Sequence, residues 1–356
     1  MARLDHLHGL LACLQGQIPA DPDWPCIIAL ANKTLCSPAM AAGLIDGGNF
    51  IRLPDDVQVF LQEIITRNGE RNRRLMDQLD EAAAVMNAAG VRPVLMKGTM
   101  WLAHVMPHRR NARLLADLDL MVPGEHFFAV IDELSGIGYS LDSPPDRTDV
   151  PVVLSRKQDA ATIDLHTEYG SAAALFCSYD DLAGNARVVD LSSGTVLLPS
   201  AASSIAVLLL HDQLKGRDYL RGRIDLRHLL DIQGFAEKLG DRGWAELEAL
   251  FTRPYARQAM RTQLLTASKL LRMKVPRQLV RGVRARLQYC RRLIQLRWPR
   301  SAPALTLLSM LDPAYLGARR AFRRSEPWLA PDERGRLLPR RRSVERLLIR
   351  NELGKI

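Results

Sequence analysis

The chain has 356 residues, 47% of them apolar and 25% charged, which is ordinary for a soluble globular protein with room for a sizeable core. Its formal net charge of +10 and pI near 9.7 point to an anionic partner such as a nucleotide, a nucleic acid or an acidic polymer, and part of that charge reflects a preference for Arg over Lys. Five scattered cysteines, Cys13, Cys26, Cys36, Cys177 and Cys290, form no CxxC pair and argue against a zinc site or a disulfide framework; a reducing cytoplasm fits.

The N-terminal stretch does not read as a signal peptide, because its apolar run is short and interrupted. From Asp56 to Gly90, apolar residues recur at three-four spacing through Val59, Leu61, Ile64, Ile65, Leu75, Leu79 and Val85, and Gly90 suits a C-terminal cap. These N-terminal helices are expected to form a lid or a packing layer. A compact α/β pattern follows. "RPVLMKG" is a short buried strand, "TMWLAHVM" a helix of about two turns, and "LADLDLMVP" a strand stopped by Pro123. "GEHFFAVIDELSGIGY" is an amphipathic helix, and Val152–Arg156 and Ala161–His166 are strands joined by a hairpin-like link. A further strand pair is expected in "ARVVDLSSGTVLLP". The order implies a small mixed sheet with helices on one face.

Beyond Ala201 the pattern is helical again. "AASSIAVLLL" is the most apolar segment, too short to span a bilayer and expected as a buried helix. "IDLRHLLDIQGFAEKLG" is a second helix, and "WAELEALFTRPYARQAMRTQLLTASKLL" a third with a break at Pro254. From about Arg277 the chain is very basic. The expected fold class is α/β (α+β): an N-terminal helical region at 1–88, an α/β domain at 89–200 that carries the mixed sheet, and a helical, basic domain at 201–356.

The chemistry concentrates in "LADLDLMV". Side chains at i and i+2 of a strand point the same way, so Asp117 and Asp119 crowd two negative charges onto one face. That is costly unless a cation joins them. Asp164, in "TIDLH", lies on a later strand and reaches the same place if the two strands pair. Three carboxylates at a sheet edge suit a hard cation such as Mg²⁺, and a pair of such ions can hold a nucleotide's phosphates. Lys97-Gly98-Thr99 lies between a strand and a helix start, where a glycine, a hydroxyl, a helix N-terminus and a full positive charge can face an anion. Arg113 could fork onto a phosphate or onto a site carboxylate.

The run "VLMKGTMWL…R…DLDLMV…GY…IDLH" resembles the uncharacterised nucleotidyltransferase family within the DNA polymerase β-like nucleotidyltransferase superfamily. Gly98-Thr99 matches that group's turn at a helix start, with Thr where Ser is common. Asp117 and Asp119 match its Asp-x-Asp pair, and Asp164 its third acid. Lys97-Gly98, Arg113 and Asp164-Leu165-His166 match features of the nearer family, as do His211 and Asp231 in the later helical segment.

The resemblance covers about residues 50 to 240. It implies Mg²⁺-dependent transfer of an NMP from an NTP to an acceptor with release of pyrophosphate. Asp117, Asp119 and Asp164 would hold two metals and carry catalysis, while Lys97, Gly98, Thr99, Arg113 and His166 would bind the nucleotide. Such relatives look like accessory enzymes of bacterial biosynthetic gene sets, so a small-molecule, peptide or protein acceptor fits. Contact with nucleic acid through the basic C-terminal region is the less favoured partner. The rival function is a non-catalytic, antitoxin-like nucleotide-binding protein on the same fold.

Plainer readings stand beside each residue. The Asp pair could face water at a strand end, Asp164 could pair with Arg156 or Lys157, and Lys97-Gly98 could be an ordinary turn. Arg113 could lie on the surface, and His166 could be a hydrogen-bonded structural residue. His104, His108 and His126 lack metal-ligand spacing. Helix packing explains His211, Lys215, Arg223 and Asp231 nearly as well as a cleft does, and the C-terminal arginines read as a solvated helical face.

Overall fold

A computed structural model describes residues 2–104, 107–142, 151–171, 175–317 and 354–356. Three helices, α1 (Ala2–Leu14), α2 (Trp24–Lys33) and α3 (Ser37–Asp46), precede α4 (Asp55–Ala88). Two acids, Asp55 and Asp56, open α4 where the helix dipole favours them. Its end is a Schellman motif: Gly90, with φ of 79°, donates to Asn87 O and Val91 donates to Met86 O.

The 34 residues of α4 make a rod about 50 Å long. It is the packing layer the periodicity implies, but it reaches the sheet through polar pins. Asn68 and Asn72 donate to the carbonyl of Arg113, Gln78 donates to Ala161 O, and Asp80 and Asn87 accept from the amides of Ser193 and Thr195.

The strands are β1 (Val94–Leu95), β2 (Asp117–Met121), β3 (Ser140–Leu141), β4 (Val152–Ser155), β5 (Thr162–His166), β6 (Glu168–Ser171), β7 (Leu175–Ser178), β8 (Arg187–Asp190) and β9 (Thr195–Leu198). Seven of them form one mixed sheet in the order β3-β4-β5-β2-β1-β9-β8. The β2–β5 and β1–β9 pairs are parallel and the other neighbours antiparallel. The expected pair at residues 187–198 is present and extends this sheet at β1. The ribbon β6–β7, a separate two-stranded sheet, has no counterpart in the sequence reading. Between strands lie α5 (Thr99–His104), α6 (Phe127–Gly136) and α7 (Tyr179–Ala183).

After β9 come α8 (Ala201–Leu209), a π-helical turn (Leu210–Lys215), α9 (Asp218–Arg221), α10 (Leu226–Ala236), α11 (Asp241–Leu250) and α12 (Pro254–Leu270). Residues 202–209 of α8 are buried all round, as expected of a helix apolar on every side. The break falls at Pro254, which opens α12 at its first position, where a missing amide costs nothing. Then follow α13 (Arg277–Val280), α14 (Val283–Arg297) and α15 (Ala302–Ser309). The expectation of a solvated arginine face holds on α14 for Arg284, Arg286 and Arg297, which are exposed, and fails for two others. Arg291 and Arg292 are buried, and Arg292 donates to Gln263, Thr266 and Gln213. The basic stretches beyond Gly317 lie outside the described residues, as do Val105 and Met106 of the predicted helix. Among the described residues no helix is long and apolar enough to cross a membrane.

The end of the chain returns to the core. Ile224 and Ile356 exchange two backbone hydrogen bonds, and Gly354 donates to Lys33 O.

Candidate active site

Two strands place the acids. In β2, Leu118 and Leu120 bury themselves on one face, which turns Asp117 and Asp119 to the other. The parallel partner β5 sets Asp164 directly beside Asp119, and His166 beside Met121. Asp164 therefore shares a face with the Asp pair. It has not been claimed by Arg156, which binds Glu81 and Asp159 instead. Asp119 is 1% exposed, while Asp117 and Asp164 are half-buried.

Crowding shows in the ionisation. Burial, then the charges of Asp119 and Asp117, push the Asp164 carboxyl up to about 6. Burial and Asp119 likewise raise Asp117. Asp119 behaves in the opposite sense. Burial works against its charge, but the Lys97 ammonium and a hydrogen bond from His166 outweigh it and hold the group at about 2. Both contacts fall on Oδ1: Lys97 Nζ bonds it directly, and His166 Nε2 lies 3.1 Å away. Burial keeps His166 below the usual imidazole range, so its neutral ring donates to Asp119.

The turn of Lys97-Gly98-Thr99 differs from its sequence reading in what each member does. Lys97 has a φ of 44°, a left-handed conformation unusual for a residue with a side chain, and it pairs with Asp119 rather than standing clear. Gly98 is required by packing, because a Cβ there would come within 2.7 Å of Leu115 Cδ2. Thr99 is fully buried, and its hydroxyl accepts from the Asp119 amide at 2.7 Å. Thr99→Val strands that amide and is expected to cost roughly 1–3 kcal/mol in urea unfolding, with Thr99→Ser near the parent.

Arg113 is neither on the surface nor turned toward the open face. It is 6% exposed, and it forks onto Asp231 of α10 through Nε at 2.9 and 3.0 Å and Nη2 at 2.9 Å. Burial opposes its charge, and Asp231 more than restores it. This pair bolts the loop before β2 to the helical segment that follows the sheet.

Tyr169 carried no sequence signal, while His211 and Lys215 beside it are among the residues read as lining a cleft or packing a helix. Tyr169, three residues after His166, is buried with its ring 5.4 Å from Lys97 Nζ and 4.2 Å from Lys215 Nζ. Its hydroxyl meets His211 Nδ1 at 2.6 Å, and burial holds that imidazole down at about 3, hence neutral. The π-helical turn brings His211 and Lys215 to this wall and carries Asp212 in the same register.

Behind it, Asp212, Asp225 and His228 gather with ligand atoms within 4.8 Å of one another. Their charges are answered from within the chain. His228 pairs with Asp212 at 2.8 Å, and Lys355 lies 2.7 Å from Asp218 and 3.8 Å from Asp212. Of the histidines read as bystanders, His104 contacts Gly234 O at 3.2 Å and stacks near Phe235. His126 lies in the turn before α6. The side chain of His108 is outside the described residues.

The Asp-x-Asp strand, the third acid in parallel register and the lysine-glycine turn at a helix start come together on one mixed sheet. Residues 20–272 match the family described as "Uncharacterised nucleotidyltransferase", and the chain belongs to that family. Among solved structures, the solution structure of the antibiotic-resistance factor ANT(2'')-Ia aligns with a TM-score of 0.38 and 14% identity, over 50% of this chain and 91% of that one. A crystal structure of ANT(2")-Ia in complex with adenylyl-2"-tobramycin aligns with a TM-score of 0.36 and 14% identity, over 49% and 94%. No curated protein matches the chain by sequence.

Proposed function

We propose that the protein transfers an NMP from an NTP, with ATP the first candidate, to a small-molecule, peptide or protein acceptor and releases pyrophosphate. The observation that carries this reading is the placement of Asp164 beside Asp119, with Asp117 two residues away on the same face. The oxygen-only donor set and the raised Asp164 and Asp117 describe a site short of positive charge, and this fits Mg²⁺.

Asp117, Asp119 and Asp164 would hold the ion or ions. Lys97 and His166 both engage Oδ1 of Asp119 and would orient its carboxylate toward an ion held with Asp117 and Asp164. Bound Mg²⁺ supplies charge neutralisation on the phosphates. Lys97 and Lys215, both close to the Tyr169 ring, would offer cationic contacts to the triphosphate. Asp164, the carboxylate with the highest affinity for a proton among the three, would take the proton of the acceptor hydroxyl or amine. His166 fixes Asp119, and Arg113 orients the strand from behind through Asp231. These are positioning roles.

The test is direct. Purified protein is incubated with each α-³²P-labelled NTP, MgCl₂ and fractionated metabolites. Metal-dependent pyrophosphate release with label on a product supports the proposal. No pyrophosphate and no labelled product with any of the four NTPs would overturn it.

The ionisation of Asp164 supplies a second check. Its folded pKa lies above the unfolded value, so the folded state holds this proton more tightly. Through this group, the metal-free protein gains stability as pH falls through about 6 and loses it as pH rises. The same protonation competes with a cation. MgCl₂ is therefore expected to raise the melting temperature clearly at pH 7.5 and hardly at pH 5, measured by differential scanning fluorimetry. Equal shifts at both values would remove Asp164 from the metal site.

A further inference from the structure

Helix α14 is built inside out. Its buried face carries Ala285, Gln288, Arg291, Arg292 and Gln295, and its exposed face carries the apolar residues. Val283 is 73% exposed, Leu287 64% and Ile294 38%, and Trp298 at the helix end 57%. Cys290, also exposed, completes the row. A surface helix normally turns such residues to the core. Here most of the polar residues find partners inside: Arg291 donates to Leu220 O, Arg292 to Gln263 and Gln213, and Gln295 to Ala302 O, while Gln288 Oε1 and Gln295 Oε1 have no hydrogen-bond donor. The inversion leaves an apolar row facing outward. The row lies beyond residue 272, outside the part of the chain that matches the family.

The spacing narrows the choice of occupant. Val283, Leu287, Cys290 and Ile294 follow one another at intervals of four, three and four residues. With Leu287 and Ile294 as a and Val283 and Cys290 as d, this is a two-heptad seam about 20 Å long. Arg284 and Arg286 then fall at e and g, the positions that set partner choice through charge. Arg297, at the following d position, lies over the Trp298 ring at 5.3 Å and ends the apolar seam with a cation. We propose that this seam docks one amphipathic helix of a partner protein that carries apolar residues at a and d and Glu or Asp at e and g. A second copy of α14 would set arginine against arginine, and an interfacial membrane helix needs a broader apolar face than a two-residue seam. The proposal does not depend on the reaction.

The probe is a fluorescein-labelled synthetic helix with Leu at a and d and Glu at e and g, titrated against the full chain by anisotropy. A scrambled peptide of the same composition controls for the net charge of the protein. Binding of the patterned peptide only, weakened by about tenfold or more in Leu287→Glu with Ile294→Glu, is expected. Arg284→Glu with Arg286→Glu should reverse the preference toward a peptide with Lys at e and g. All four positions are exposed, and circular dichroism confirms that the variants fold. Equal binding of patterned and scrambled peptides would overturn the proposal, as would an unreversed preference. So would each rival occupant: a dimer in sedimentation that the Leu287→Glu, Ile294→Glu variant abolishes, capture by anionic vesicles in place of the peptide, or peptide binding that appears only after deletion of residues 318–353.

Discussion

Asp119→Asn is expected to lower nucleotidyl transfer by about 10²–10³-fold, since a metal's charge stabilisation is worth several kcal/mol and each 1.36 kcal/mol is tenfold. The substitution keeps the size of the side chain and removes the charge that Lys97, His166 and the proposed ion all address. It also has a stability cost with a defined sign. The folded Asp119 ionises at about 2, below the ordinary carboxylate value of 3.8, so its carboxylate contributes roughly 2 kcal/mol at pH above that ordinary value and loses it as pH falls toward about 2. The variant should therefore unfold at lower urea at pH 7, yet keep the circular dichroism spectrum of the parent at 25 °C. A steady-state pyrophosphate assay beside a urea titration separates the two effects. Transfer within a few-fold of the parent would remove Asp119 from the reaction, whatever the stability change.

Arg113→Met is expected to destabilise the fold by about 3–5 kcal/mol, because it leaves the buried Asp231 carboxylate without its partner. Both side chains are almost fully enclosed, so water cannot take over. Pairing Arg113→Met with Asp231→Leu should recover much of the loss, since two apolar groups of similar size leave no charge stranded. Urea midpoints for the two single variants and the double variant make a complete cycle. If Arg113→Met costs less than about 1 kcal/mol, the pair is not the bolt between the β2 loop and α10 that its geometry describes.

Much of the site was legible because its signals are local. Alternation in "DLDLM" places Asp117 and Asp119 on one face of a strand wherever that strand goes. The Schellman end of α4 follows from a glycine after a periodic run, and the break before α12 follows from Pro254. The order of lysine-glycine turn, Asp pair and Asp-Leu-His carried the resemblance that the family match supports. The roles within the turn were not legible. Thr99 looks free to meet an anion until β2 is laid beside it and the Asp119 amide takes its hydroxyl. Arg113 looks like a phosphate contact until Asp231, 118 residues away, closes on it. Tyr169 lies in a ribbon that the sequence reading did not contain, and nothing local in the sequence marks Lys355.

By itself, then, the sequence determined the strands and helices that have a clear local period, and which of their side chains share a face, since backbone periodicity and capping act over a few residues; the β6–β7 ribbon lay outside that reach. Only the tertiary structure decided which charges meet. Ion pairing inside a protein is chosen by desolvation, and the low-dielectric pockets that pair Lys97 with Asp119, Arg113 with Asp231 and Lys355 with Asp218 exist only after distant segments have packed. The same holds for Arg291 and Arg292 of α14, which composition alone would have turned to water.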